Sequence, residues 1–148
     1  VIYCDPSYLV RLYQDEPGAT EVRELCHRNE IASSVHAKAE VPAALHRSWR
    51  EGRTRSDGFP SLIAQFQADL ASGGIYWLPW SGTLLNEMAA RYGSLPPTTF
   101  LRAADALHLA CAAEHGFTEV YSNDRHFLAA APLFGLKGIN VIGKNDVR

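Results

Sequence analysis

The chain has 148 residues, is 47% hydrophobic and 20% charged, and carries a formal net charge of −2. That length and apolar content predict one compact domain over residues 1–148 with a sizeable core, and exclude global disorder. The near-neutral balance excludes a surface coated in basic charge, though not a local basic patch; no apolar run approaches the roughly 18 residues of a membrane span, and no stretch has the basic start and apolar middle of a signal peptide, so the chain reads as cytoplasmic.

In chain order, residues 1–4 read as a buried strand, closed by Asp5, with Pro6 placed as the first residue of a helix. Val22, Leu25 and Cys26 mark a helix face, and Ile31–Ser34 a second strand. A helix over residues 36–50 follows, then a helix face of Leu62, Ile63, Phe66 and Leu70, and a third strand, Ile75–Leu78. Leu84, Leu85, Met88 and Tyr92 share the next helical face, with Ser81 placed to cap its start and Gly93 to end it. The Pro96-Pro97 break predicts a further helix over residues 99–115, closed before Gly116. Strands over residues 119–122 and 140–142 complete the series. Strand and helix alternate from end to end without repeat or dividing linker, which predicts an α/β sandwich: a central parallel sheet of about five strands flanked by helices.

Cys4, Cys26 and Cys111 are odd in number and widely spaced, which argues against a disulfide framework and for packing as small hydrophobes. No CxxC pair and no HExxH spacing occurs, so zinc has little support.

The acidic residues carry more information. Asp5 ends the first strand and Asp124 lies just beyond the fourth, so an open parallel sheet delivers both to the rim where such sheets bind ligands. Glu40, in the early turns of the helix over residues 36–50, can face that rim too. Asp105 sits about two turns into the helix over residues 99–115, among apolar neighbours, where a carboxylate is usually paired or functional. Each of the others has a bland explanation: Asp5 and Asp124 suit helix caps, and Glu40 favours a helix dipole. Jointly they do not. Each close carboxylate pair repels by roughly 4 kcal/mol at 4 Å with an effective dielectric near 20, and several pairs exceed what a marginally stable domain tolerates. Something positive must sit among them, and an all-oxygen donor set, with no histidine or cysteine expected on the rim, selects Mg²⁺ or Mn²⁺. Such an ion suits hydrolysis of phosphate esters.

At these residues the sequence resembles the PIN-domain ribonucleases, and within them the VapC-like toxins of toxin-antitoxin pairs. The likeness rests on Asp5-Pro6-Ser7-Tyr8-Leu9-Val10, Ala39-Glu40-Val41, Asp105-Ala106-Leu107-His108-Leu109-Ala110 and Ser122-Asn123-Asp124-Arg125, in order along the whole chain. The resemblance implies a PIN-like three-layer sandwich and Mg²⁺- or Mn²⁺-dependent endonucleolytic cleavage of RNA. It makes Asp5, Glu40, Asp105 and Asp124 the metal-binding and catalytic quartet, and Ser7 and Asn123 supports that orient a carboxylate. It also implies a homodimer and a cognate VapB-like antitoxin that blocks the cleft. Pro6 departs from the small polar residue more frequent after the first Asp.

A polyanionic substrate calls for flanking positive charge. Arg47, Arg50, Arg53 and Arg55, around Glu51, are the leading RNA contacts, although arginine at a helix end also complements the dipole. Arg125, beside Asp124, can meet a phosphate more closely. Trp49, Trp77, Trp80, Tyr8 and Tyr13 can stack on bases, but most aromatics in a domain this small are core, and Trp77 belongs to a strand. His108 reads equally as a catalytic partner of Asp105 and as a hydrogen-bonded core histidine, and is left outside the site. Two other functions compete. A catalytically silent PIN-like module binding RNA or protein would not need all four acids. A phosphorylation-dependent receiver domain needs an acidic phosphoacceptor after its third strand, where this chain has Leu78-Pro79-Trp80; a haloacid-dehalogenase-like phosphatase needs a second Asp where Ser7 stands.

Overall fold

The computed structural model describes residues 1–143. Its centre is a five-stranded, all-parallel sheet of β1 (Ile2–Cys4), β2 (Ile31–Ser34), β3 (Ile75–Leu78), β4 (Glu119–Tyr121) and β5 (Lys137–Ile139), in the order β3-β2-β1-β4-β5. The short apolar runs become strands because their side chains alternate between two faces. Tyr3 packs into one core and Cys4 into the other. On the Cys4 face lie α1 (Pro6–Val10), α2 (Ala19–His27), α3 (Ala37–Arg50) and α4 (Phe59–Ser72), contributing Leu9, Val22, Leu45 and Phe66. On the Tyr3 face lie α5 (Leu84–Ser94), α6 (Ala103–Glu114) and α7 (Arg125–Ala130), contributing Leu84, Leu109 and Phe127. A 3₁₀ turn, Ala131–Phe134, leads into β5. This is the expected three-layer sandwich.

The strand order places the site. From β1 the chain winds outward through β2 to β3 on one side, then returns to β4 and β5 on the other. The winding therefore reverses between β1 and β4, and the crevice beyond their carboxyl ends is the ligand position of doubly wound sheets.

Four boundaries differ from expectation. The last strand is Lys137–Ile139 rather than residues 140–142; the β-branched Val141 and Ile142 instead fold onto the opposite core, where Ile142 meets Gly18. Helix α5 runs through Gly93 to Ser94 and stops at Leu95, whose extended backbone suits the following Pro96. Thr83, not Ser81, is its N-cap residue, and the Ser81 N–H donates to Glu114 instead. Helix α6 starts at Ala103, four residues later than residue 99, which puts Asp105 in its first turn rather than its second. The three cysteines are unbridged, with Cys4 and Cys111 buried as small hydrophobes.

Candidate active site

Asp5 follows β1 directly and N-caps α1, with Pro6 at the first helical position and the Tyr8 N–H donating to Asp5 Oδ1. Its side chain is almost wholly buried, yet each oxygen has a partner. Ser7 Oγ–H donates to Oδ1 and Ser122 Oγ–H to Oδ2, both at 2.6 Å. Each serine in turn accepts a backbone N–H from the loop after β4: Asn123 N–H to Ser7 at 3.0 Å and Asp124 N–H to Ser122 at 2.9 Å. Two hydroxyls thus tie the end of β1 to the end of β4 through one carboxylate. Burial pushes the Asp5 carboxyl up to about 7 despite these hydrogen bonds from Ser122 and Ser7, with the charge of Asp105 adding to the rise.

Asp124 caps α7, Oδ1 accepting from His126 N–H at 2.8 Å and Phe127 N–H at 3.2 Å. Its Oδ2 turns away from the helix and accepts from Arg102 Nη2 at 3.1 Å. Asp105, in the first turn of α6, accepts from Arg102 Nε at 3.4 Å. Burial raises the Asp105 carboxyl, the Asp124 charge adds to the rise, and Arg102 opposes it. Glu40 comes from the first turn of α3, and burial raises its carboxyl against the opposing influence of His36 and Arg102.

An open cleft of about 440 Å³ brings the four acids together, with Arg47 and Arg102 also in its wall. Both bland readings hold as well: Asp5 and Asp124 are true caps, and their remaining bonding capacity faces the cleft.

Several expectations need correction. Arg102, which the sequence pattern does not single out, is a positive group among the acids, bridging Asp105 and Asp124; its place just ahead of α6, three residues before Asp105, is the available signal. Histidines do reach the rim. His108 Nε2 lies 2.6 Å and His36 Nε2 3.1 Å from Glu40 Oε1, and the ligating atoms of these three residues fall within 4.8 Å of one another. The arginine cluster is largely compensated, because Arg47 and Arg53 pair with Glu51 and Arg55 with Asp57. Of the four, only Arg47 lines the cleft. Arg53 lines a shallower depression beside it with Ser7 and Arg47, while Arg50 and Arg125 are exposed outside the cleft wall. Ser7 lies against Asp5, donating its hydroxyl to Oδ1. The Asn123 side chain instead accepts from Asn140, and its backbone N–H, through Ser7, is what reaches the carboxylate. Ser122 does the work expected of Asn123.

Four carboxylates faced by Arg102 leave the cleft short of positive charge, and oxygen donors of this kind suit a hard divalent cation. The residues present therefore fit such an ion. No curated protein matched the chain. The PIN domain family model matches residues 2–132. With nearly the whole chain matched, a doubly wound parallel sheet and an acidic cleft at its switch point, the chain belongs to the PIN domain family.

Proposed function

We infer that this protein is a Mg²⁺- or Mn²⁺-dependent endoribonuclease, the toxin of a type II toxin-antitoxin pair. The observation that supports this most is the meeting of Asp5, Glu40, Asp105 and Asp124 in one cleft at the sheet's switch point. These four would hold the ion, which supplies Lewis acidity toward a phosphodiester and acidifies water. Ser7 and Ser122 hold both oxygens of Asp5 in place, so that little reorganisation accompanies binding. Arg102 pairs with Asp105 and Asp124, and where a bound ion met their charge its guanidinium would offer a fork of donors to a substrate phosphate. Arg47, in the same wall, extends the track for the RNA backbone.

The family resemblance extends this reading to a homodimer, to a VapB-like antitoxin whose tail covers the cleft, and to a cytoplasmic site of action on RNA.

Cleavage of a labelled RNA by the purified chain, with Mg²⁺, Mn²⁺ or chelator, tests the central claim. Asp5→Asn and Asp105→Asn should each lower the rate by about 100-fold or more, since loss of even an outer partner of a metal ligand costs 10–100-fold, while circular dichroism stays native. Metal-dependent cleavage that persists in both variants would defeat the four-carboxylate centre, and no cleavage by the intact chain with either metal would leave a silent RNA- or protein-binding module.

A further inference from the structure

His36 and His108 have no place in a site made of four carboxylates, yet both converge on one atom of it. Glu40 Oε1 lies 2.6 Å from His108 Nε2 and 3.1 Å from His36 Nε2, and the two rings lie tilted at 37° with centroids 4.0 Å apart. Each ring is held from behind. Trp80 Nε1–H donates at 2.8 Å to Ser34 Oγ, which lies 2.7 Å from His36 Nδ1. The Ser34 backbone N–H donates at 3.1 Å to Tyr3 Oη, which lies 2.6 Å from His108 Nδ1.

These partners dictate where the ring hydrogens sit. His36 Nε2 faces two acceptors, Glu40 Oε1 and the Ala104 carbonyl at 3.0 Å, so it carries the hydrogen and its Nδ1 accepts from the Ser34 hydroxyl. With Glu40 ionised, His108 likewise donates through Nε2 and accepts at Nδ1 from the Tyr3 hydroxyl. Ser34 thus serves both rings, one through its side chain and the other through its backbone. The His108 N–H bonds Glu40 Oε1 while the His36 Nε2–H bonds the Ala104 carbonyl with its nitrogen 3.1 Å from the same Glu40 oxygen, and Glu40 Oε2 has no hydrogen-bond partner among the described residues.

We propose that His36 and His108 are positioning residues that clamp Glu40 by Oε1 and so present Oε2 to the cation in the cleft. The inference rests on the metal-centred reading above. It differs from a site in which the histidines themselves bind the ion. Two ligands each about 2.1 Å from one ion sit about 3 Å or more apart, whereas His108 and Glu40 approach to 2.6 Å, and His36 Nε2 is shared with a backbone carbonyl. Partners that orient a ligand in this way are worth 10–100-fold in metal affinity.

The test is calorimetric titration of the full chain with Mn²⁺, using leucine and glutamine at each histidine. Leucine keeps bulk and removes the donor; glutamine restores an N–H near the position of Nε2. His36→Leu and His108→Leu should weaken Mn²⁺ binding about 10–100-fold, and His36→Gln and His108→Gln should recover most of it. Because His108 is wholly buried, Tyr3→Phe, which removes only the hydroxyl behind Nδ1, replaces His108→Leu if that variant does not fold, and should weaken binding in the same direction. In the metal-free protein, ¹⁵N NMR should show both rings as the Nε2–H tautomer. Unchanged affinity in folded leucine variants overturns the proposal, as does failure of glutamine to rescue, which would mark the rings as packing alone. Nitrogen hyperfine coupling to bound Mn²⁺ overturns it too, by showing direct ligation. If the intact chain binds no Mn²⁺, the metal-centred reading falls and the clamp's role with it, while the tautomers still report whether the hydrogen-bond chains exist.

Discussion

Asp124 holds the first turn of α7 with one carboxylate oxygen and turns the other to Arg102. Asp5 likewise caps α1 through Oδ1, which also accepts from Ser7, while its Oδ2 accepts from Ser122. Capping is thus the means by which these side chains are aimed, since a cap fixes both the backbone and the rotamer of the residue that makes it. The burial of Asp5 has a linkage consequence. Its carboxyl rises from the ordinary aspartate value of about 4 to about 7 in the folded chain, so the folded state binds the proton more tightly. Stability is therefore lost as pH rises from about 4 to about 7 and stays lost above, by about 4 kcal/mol in all at 1.36 kcal/mol per pH unit. Buried His108, lowered to about 3 by desolvation, acts oppositely, losing stability as pH falls below its ordinary value of about 6.5. The difference between intact chain and Asp5→Asn cancels that second effect. Urea midpoints in chelator at pH 5, 6, 7 and 8 should show the variant gaining on the intact chain as pH rises; parallel curves would refute a buried, proton-binding Asp5. Asp5, Glu40 and Asp124 stood out because each closes a strand or opens a helix, places where sequence position fixes spatial position, whereas Asp105 stood out by its apolar neighbours. Arg102, Ser122, His36 and His108 did not, because their roles exist only across the fold: Ser122 meets Asp5 from 117 residues away and His108 meets Glu40 from 68.

The strands that read correctly, Ile31–Ser34 and Ile75–Leu78, pair with one another over all four residues, the two serines of the first being buried with its apolar half. The strand that shifted shows what sequence pattern omits. Lys137–Ile139 carries a charge and a glycine, and its place in the sheet depends on close approach of α7: a Cβ on Gly138 would lie 2.9 Å from Leu128 Cδ2 and 3.1 Å from the Leu128 backbone. Gly138 is there for what crosses above it. Gly138→Ala should accordingly destabilise the chain by about 1–3 kcal/mol, the usual cost of overpacking, as a lowered urea midpoint with unchanged slope; a neutral result would mean α7 does not rest on β5. The start of α6 was misjudged for a related reason. Thr99, Phe100 and Leu101 continue the apolar spacing, but Arg102 adopts an extended backbone and only then does the helix begin. Five residues, Thr98 to Arg102, thus separate the proline break from the helix and set Arg102 over Asp105 and Asp124.

The order of the strands gathers what the chain disperses: Asp5 and Asp124 flank the reversal between β1 and β4, while α3 and α6 bring Glu40 and Asp105 to it from the two helical layers. A divalent ion binding there stabilises only the folded chain. At one hundred times Kd it should add about 3 kcal/mol, more at pH 8 than at pH 5 because Asp5, Glu40 and Asp105 all bind protons more readily than free carboxyls. Arg102→Ala should enlarge that increment, having lost the cation that otherwise stands between Asp105 and Asp124. Thermal melts with and without Mg²⁺ decide it, and an equal increment in the variant would show that Arg102 does not compete with the ion. The backbone N–H of Asp5 itself bonds the Tyr121 carbonyl at 3.1 Å, where the central strand β1 adjoins β4. Frayed helix ends or an opened edge strand leave that junction intact. The seat of Asp5 is consequently as durable as the middle of the sheet, whereas Glu40, Asp105 and Asp124 stand at the starts of helices and move with them.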